Sequence, residues 1–208
     1  TTVFSHLAGS DEEIFDSFSG EQIEIFRKMS DSIREILGYP VIRHILNTSG
    51  IERFPDAQFE MVRLGIGLHG ISSINPGKLR PVSTLKSTIL QIKPVLPGET
   101  VGYGRRGKPD KPSLIAVVPV GYADGLNRRL SNGRGSFLLK GRLVPIIGNI
   151  CMDMTMIDVT GTEAKEGDEV VIFGEGNPII TLARQLDTIP YEILAGVSER
   201  VKRVYFQE

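Results

Sequence analysis

Over the first eighty residues the apolar positions change their period twice. Thr2-Val3-Phe4-Ser5-His6-Leu7-Ala8 is a short β-type run closed by Gly9. Ile23, Phe26, Met29, Ile33, Ile36 and Leu37 then recur at steps of three and four, which places them on one helix face. Ahead of them Ser19 and Gln22 have S-x-x-Q spacing, so the pair reads as a capping box. Gly38 and Pro40 supply the stop. Val41 to Leu46 reads as a second strand, and Phe59 to Leu68 holds a third. Strand, helix, strand in that order predicts parallel strands with helical crossovers. Three such strands make a poor stand-alone domain, since both faces need cover. The expectation is part of a larger parallel sheet or barrel whose remainder lies before Thr1.

Beyond residue 80 the helical period nearly vanishes. Val82–Lys93, Ser113–Val120, Ser136–Lys140, Arg142–Ile147, Met152–Val159 and Glu169–Phe173 all read as strands. Turn signals separate them at Pro97-Gly98, Gly104, Lys140-Gly141 and Gly167-Asp168. One late helix is predicted, capped by Asn177, with Pro178 in its first turn and Ile179, Leu182, Ala183 and Leu186 on one face. The change of character, near Asn75–Pro81, divides the chain into an α/β piece over 1–80 and a β-rich domain over 81–208.

Composition narrows the function classes. Lys and Arg number 24 against 25 Asp and Glu, a net charge of −1, so the chain has no global electrostatic reason to bind nucleic acid or an anionic membrane. Cys151 is the one cysteine, which excludes an intrachain disulfide and suits a reducing, cytoplasmic setting. No apolar run approaches the ~20 residues of a membrane-spanning helix.

Four segments offer chemistry. In Val62-Arg63-Leu64-Gly65-Ile66-Gly67 a charged residue interrupts an apolar strand, beside glycines that allow close backbone approach by a ligand; the plainer reading is a surface ion pair. Asn47-Thr48-Ser49-Gly50 is an ordinary loop or a source of hydroxyl and N–H groups for a phosphate. In Val120-Gly121-Tyr122-Ala123-Asp124-Gly125-Leu126 the tyrosine is a packed turn residue or an acid–base phenol. In Gly148-Asn149-Ile150-Cys151-Met152-Asp153-Met154 the sulfur residues read first as core. His6, His44 and His69 have no metal-ligand spacing with Cys151, so no metal is assigned, and His44 and His69 default to structural roles.

Taken together and in order, these segments resemble the alanine racemase family. Asn47-Thr48-Ser49-Gly50, Met61-Val62-Arg63-Leu64-Gly65-Ile66, Gly121-Tyr122-Ala123-Asp124-Gly125 and Gly148-Asn149-Ile150-Cys151-Met152-Asp153 carry the likeness, which runs from Ser5-His6-Leu7-Ala8 to Arg200-Val201-Lys202-Arg203. Several loops also resemble racemases fused to a cell-wall peptide ligase. The resemblance implies a β/α-barrel remnant of about three βα units followed by a mostly-β C-terminal domain. It further implies pyridoxal 5′-phosphate as cofactor, a small amino acid as substrate, and a homodimer with the active site at the interface. Thr48, Gly65 and Ile66 match the phosphate side of the cofactor, in the loops where barrels bind phosphate. Arg63 matches the arginine that faces the pyridine nitrogen. Tyr122 matches a proton-transferring tyrosine supplied by the partner subunit, and His6 the histidine that links that tyrosine to the arginine. Met152 matches a residue whose backbone meets the substrate carboxylate, with Cys151 and Asp153 beside it, and Tyr122 is implied as a second substrate contact.

The departures are also informative. The family's cofactor lysine, in KAxAYGHG-like surroundings, is absent from this chain, as is the arginine that helps hold the substrate carboxylate. The chain alone is therefore expected to be inactive, as part of an active parent that supplies D-alanine for peptidoglycan. Glu199 stands where the family has a tyrosine, and Asn149 where a GRICMD form has arginine. Competing readings are a non-catalytic dimerisation or binding module, and a racemase of another small amino acid such as serine. A barrel-type amino acid decarboxylase would place a carboxylate at the pyridine nitrogen, against Arg63.

Overall fold

The computed structural model describes residues 1–206 and divides into two compact units, Thr1–Ser83 and Thr84–Glu208. In the first unit, β1 (Thr2–Phe4) lies parallel to β2 (Ile42–His44), with Val3 opposite Arg43 and Phe4 opposite His44. Parallel neighbours need a crossover, and α1 (Asp16–Leu37) supplies it. The core between helix and strands is Leu7, Ile23, Phe26, Ile45, Leu46 and Ala57, with Val3, Ile51, Phe54, Phe59 and Val62 packed around it. A short helix, α2 (Thr48–Arg53), follows β2 and is capped by the Asn47 side chain, which accepts from Gly50 N–H.

Three expectations for this unit are corrected. The capping box does not form, because Ser19 and Gln22 lie inside α1, which begins a turn earlier. Asp16 holds that first turn, where an acid complements the helix dipole, and its carboxylate is bound by Arg53. Gln22 reaches instead to the loop after β1, accepting from Ala8 N–H at 3.0 Å and donating to His6 C=O at 3.5 Å. The apolar face is the one expected only in part. Ser19, Ile23, Phe26 and Ser30 are buried, while Met29 and Ile36 are 63% and 83% exposed. Met29 and Ile36 belong with Phe18 and Ile25 to a second, solvent-facing stripe about 100° round the helix. Finally, the third strand is absent. Met61 and Arg63 donate backbone N–H groups to Arg43 C=O at 3.3 Å and Leu46 C=O at 3.0 Å, but no ladder follows. Gly65, at φ −105° and ψ −102°, leaves the β region, and a 3-10 turn over Ile66–His69 takes over. The unit therefore has two strands and a segment docked beside them, in place of three βα units.

The second unit is mostly β. β3 (Leu85–Thr88), β9 (Glu169–Phe173), β6 (Ser136–Leu139) and β7 (Arg142–Pro145) form one antiparallel sheet in that order; β4 (Gln91–Val95), β5 (Ser113–Val118) and β8 (Thr155–Asp158) form another. The stretch 82–93, expected as one strand, breaks at Ile89–Leu90 and changes sheet: Ile89 N–H bonds to Asp168 C=O, and Leu90 N–H to Val117 C=O. Alternation along β6 and β8 buries Phe137, Leu139, Thr155 and Ile157. An Ile146–Ile157 bridge joins the two sheets.

The late helix, α3 (Ile179–Leu186), buries the four predicted residues, but Asn177 is not its cap. The Asn177 amide is 4% exposed and donates to Ile172 C=O at 2.7 Å and Ser136 C=O at 3.1 Å, binding the ends of β9 and β6. A further helix, α4 (Pro190–Gly196), was not expected from the sequence; Pro190 opens it.

Two predictions arise from the first unit. An N-cap serine replaced by alanine costs about 1 kcal/mol. Ser19, by contrast, is fully buried with its Oγ unpartnered, so Ser19→Ala is expected to leave stability unchanged or raise it by about 1 kcal/mol. Denaturant unfolding checks this; a clear loss of stability would restore the capping role. The second prediction concerns Glu60. Its carboxylate accepts from Arg43 Nε at 3.0 Å and NH2 at 2.8 Å, while Arg43 NH1 reaches Asp31 at 2.7 Å. The hydrogen bonds from Arg43 and its charge hold Glu60 down to about 2, against burial, which pushes it up. A depressed carboxylate stabilises above its unfolded value of 4.5, and that stabilisation is lost as pH falls from there towards 2. The difference in melting temperature between the wild type and Glu60→Gln should therefore be constant above pH 5 and close by pH 2. A difference independent of pH would exclude the ion pair.

Candidate functional site

Arg63 is the centre of the first unit's polar residues. The extended segment that follows Phe59 carries its side chain across the ends of β1 and β2. NH1 donates to His44 C=O at 3.1 Å and faces His44 Nδ1 at 2.5 Å. NH2 donates to Ser5 C=O at 2.7 Å and Ile45 C=O at 3.2 Å, and faces His6 Nδ1 at 3.0 Å. No carboxylate takes part, so the surface ion pair that competed for this residue in the sequence is ruled out. Among the described residues the Nε–H has no acceptor. Burial pushes the guanidinium below its ordinary value, as expected for a cation without a counter-charge.

A guanidinium only donates, so both facing Nδ1 atoms accept, and each ring carries its proton on Nε2. Burial pushes His44 below its ordinary value, and the neighbouring Arg63 charge adds to the effect. His44 also stacks on Phe4, centroids 5.5 Å apart and planes 7° apart, and Arg63 lies over the same Phe4 ring at 5.7 Å. His44, read from the sequence as structural, is thus part of the cluster. Its signal was its place at the end of β2, beside a charged interruption in an apolar segment.

Thr48, Gly65 and Ile66 are brought together. Thr48 is 3% exposed, and its Oγ1 accepts from Gly65 N–H at 3.1 Å and Gly67 N–H at 3.2 Å. Both lone pairs are in use, so the hydroxyl hydrogen remains to donate. Gly67 packs so closely that a Cβ there would stand 2.7 Å from Leu64 and 3.0 Å from Thr48. The neighbouring Ser49 donates to Asp11 at 2.5 Å.

In the second unit two loops from the sequence are clasped backbone to backbone. Tyr122 N–H donates to Cys151 C=O and Ala123 N–H to Met152 C=O, each at 3.0 Å. The contact requires glycine at 121, since a Cβ would meet the Met152 and Cys151 carbonyl oxygens at 2.3 and 2.4 Å. Among the described residues all peptide bonds are trans. In a planar trans peptide the N–H points opposite to the C=O, so Met152 N–H and Asp153 N–H both face away from the tyrosine turn. Neither meets an acceptor among the described residues. Two successive N–H groups on one side of a chain are donors that an anion can use.

A charged bridge reinforces the clasp. Asp124 accepts from Gly121 N–H at 2.8 Å and from Arg200 Nε at 2.7 Å, and Arg200 NH2 reaches Asp153 at 2.6 Å. Burial pushes Asp124 up, but hydrogen bonds from Arg200 and Gly121 more than offset it, and the carboxyl sits below its ordinary value. The sequence held no signal for this bridge, whose members lie 76 and 47 residues apart.

Tyr122 begins a 3-10 turn over Tyr122–Asp124 and lines a cavity of about 260 Å³ with Leu126, Leu130, Phe173 and Leu186. A second tyrosine competes with it. Tyr103 is 74% exposed, between Gly102 and Gly104, both in left-handed conformation at φ 77° and 68°. Asn149 fixes this turn by donating to Tyr103 C=O at 2.9 Å, while accepting from Asn132 at 3.1 Å. The Gly-Tyr-Gly-Arg-Arg run was the sequence signal for it. Arg105, Arg106, Lys108, Lys111, Arg128, Arg129 and Arg134 make these loops strongly basic and are all exposed. The segment over residues 11–24 in the first unit, with Asp11, Glu12, Glu13, Asp16, Glu21 and Glu24, is correspondingly acidic and contains no base. Cys151 is a partly buried free thiol, and Glu199 is exposed. Among the described residues no group of three or more His, Cys, Asp or Glu could hold a metal ion, and no helix is long and apolar enough to cross a membrane.

Comparison with known proteins gives the same answer by sequence and by structure. Residues 1–73 match the family model for the alanine racemase N-terminal domain, and residues 82–205 that for the C-terminal domain. Alanine racemase 2 of Caldanaerobacter subterraneus subsp. tengcongensis is 44% identical over 98% of this chain and 54% of its own length. The Clostridium tetani alanine racemase is 42% identical over 99% of this chain and 56% of its own. The crystal structure of the enzyme from D-cycloserine-producing Streptomyces lavendulae superposes with a TM-score of 0.92 at 35% identity, covering 100% of this chain and 56% of that one. That of the Bartonella henselae alanine racemase, with covalently bound pyridoxal phosphate, superposes with a TM-score of 0.87 at 31% identity, covering 99% and 56%. The chain thus spans about half the length of the curated relatives it matches. With both domain models matched in order and the likeness extending over nearly every residue, this chain belongs to the alanine racemase family.

Proposed function

We propose that this chain is the later barrel segment and β domain of a pyridoxal-phosphate-dependent racemase that interconverts L- and D-alanine, supplying D-alanine for peptidoglycan. The observation that carries the reading is Arg63, a guanidinium whose terminal hydrogens are committed to protein acceptors while Nε–H is left without one. That donor fits an acceptor-only ring nitrogen. A guanidinium, with a pKa above ~12, does not hand over its proton, so Arg63 keeps such a nitrogen neutral. The Thr48 hydroxyl, beside the Gly65–Ile66 backbone, suits the phosphate. When bound, the cofactor provides a moderate electron sink for charge left at the substrate Cα.

The remaining roles belong to the chain's own groups. Met152 and Asp153 N–H orient the substrate carboxylate. A tyrosine phenol moves a proton on one face of Cα, and the Nε2–H of His6 connects that phenol to Arg63. Of the two tyrosines, Tyr103 suits this role better than Tyr122. It projects outward from a glycine-flanked turn among arginines, whereas Tyr122 is less exposed and lines a cavity with leucines and Phe173. The basic loops around Tyr103 complement the acidic 11–24 segment, and the two support a homodimer in which each copy offers its tyrosine to the other. The apolar stripe Phe18, Ile25, Met29 and Ile36, together with a sheet of only two strands, fits part of a larger barrel.

The family's cofactor lysine lies outside this sequence, so the 208-residue chain should not racemise alanine. A whole-length protein, made by adding the part of a curated relative that this chain does not span, should. In that protein Tyr103→Phe is expected to slow α-proton exchange from one enantiomer by about 10²-fold or more, the usual range for a general base. Tyr122→Phe should cost less than about tenfold in either direction. Solvent deuterium incorporation, followed separately from L- and D-alanine, checks both. A larger loss from Tyr122→Phe would return the role to that residue, and no turnover by the whole-length protein would refute the reading.

A further inference from the structure

Asp153 presents a problem for the site just described. Its backbone N–H and that of Met152 are the donors assigned to the substrate carboxylate, yet the residue brings its own carboxylate to the same place. Two anions side by side repel. Asp124, in the turn clasped to these peptides, adds a second acid. Arg200 answers both, with Nε on Asp124 at 2.7 Å and NH2 on Asp153 at 2.6 Å. The two contacts use different nitrogens of one planar guanidinium, so a single cation fixes two acids in one geometry.

The arginine is itself well anchored. Ser198 N–H donates to Asp124 C=O at 3.2 Å, and Arg203 NH2 to Val197 C=O at 3.1 Å. A Cβ on Gly125 would stand 2.2 Å from Gly196 C=O, so the tyrosine turn and the segment leading to Arg200 touch through backbone. A lysine could not span the two acids in this way, since its ammonium is a point donor on a flexible stem.

The geometry points to Arg200 as the residue that makes the Met152–Asp153 peptides competent to receive a carboxylate, by neutralising Asp153 and Asp124 while holding their turns together. It is a positioning residue, since it acts through Asp153 and is not placed against the reacting atoms. The inference rests on the reading of the Met152 backbone as the carboxylate contact. It adds that affinity for the substrate carboxylate depends on an ion pair remote in sequence. Removing Arg200 leaves a carboxylate facing a carboxylate, whereas removing Arg200 together with the Asp153 charge leaves neither.

The test compares wild type, Arg200→Met and Arg200→Met/Asp153→Asn. Propionate, with chloride at matched ionic strength as control, is titrated into the ¹⁵N-labelled 208-residue chain while the Met152 and Asp153 amide resonances are followed. Saturable shifts are expected in the wild type, about tenfold weaker binding in Arg200→Met, and recovery to within about threefold of wild type in the double variant; at ~1.4 kcal/mol per tenfold these are a loss of about 1.4 kcal/mol and a residual of about 0.7 kcal/mol or less. Unfolding midpoints of all three proteins separate this from a purely structural bridge, for which the loss and recovery of binding would only follow the loss and recovery of stability, a result that would overturn the inference. Shifts no different from chloride, unchanged binding in Arg200→Met, or no recovery in a folded double variant would each overturn the inference. In the whole-length protein the same series should raise KM for alanine and restore it, with kcat nearly unchanged. If that protein shows no racemisation while the propionate series behaves as expected, the racemase reading fails and the role of Arg200 stands.

Discussion

The arrangement of the first unit depends on how a partly buried positive charge is satisfied without a negative one. Withdrawing an ion from water is costly unless other polar groups replace the water. Arg63 meets that cost with the carbonyls of Ser5, His44 and Ile45 and the unprotonated nitrogens of two histidines. Carbonyls at the ends of parallel strands converge naturally, because the ladder that would use them has stopped. This explains why the docked segment makes two backbone hydrogen bonds to the β2 side and then departs: its work is to deliver one side chain. It also explains why Gln22 reaches from α1 to fix the loop that carries His6. A carboxylate in this cluster would neutralise the charge, and none takes part among the described residues.

The second unit solves a different problem, that of holding backbone N–H groups outward. Peptide planarity does most of this. Once Cys151 and Met152 turn their carbonyls to the tyrosine turn, their successors' N–H groups have to face the other way. The interlock depends on the absence of a side chain at Gly121 and Gly125, and on charge at Arg200, Asp124 and Asp153. Backbone donors are well suited to a substrate carboxylate because they have no rotamers to freeze.

What could be read from the sequence was what repeats locally. The strands after residue 80 were legible because alternation and glycine turns are short-range signals, and α3 because its apolar face is buried as its period implies. Ser19 and Gln22 misled because capping spacing says nothing about whether a helix has already begun. Met29 and Ile36 misled because a helix can carry two apolar stripes, and spacing does not say which one meets the core. At the site, Arg63 stood out as a charge in an apolar run, but its partners are mainly carbonyls, which every residue has. His44 and Arg200 were missed for the same reason: their meaning lies in contacts with residues distant in the chain. Tyr103 and Tyr122 both sit beside glycines, and the sequence does not show that they differ in exposure and packing.

The claim on which the site rests is that Arg63 donates to His44 Nδ1, which has to remain unprotonated. The ¹⁵N chemical shifts of the His44 ring, followed with pH, test this directly. The account predicts an acceptor-type Nδ1 and a protonated Nε2 at neutral pH, with a titration below the ordinary value of 6.5, because burial and the Arg63 charge both oppose the imidazolium. A protonated Nδ1, or a His44 that titrates at or above 6.5, would mean that the guanidinium is not held as described, and the assignment of Arg63 would fall with it.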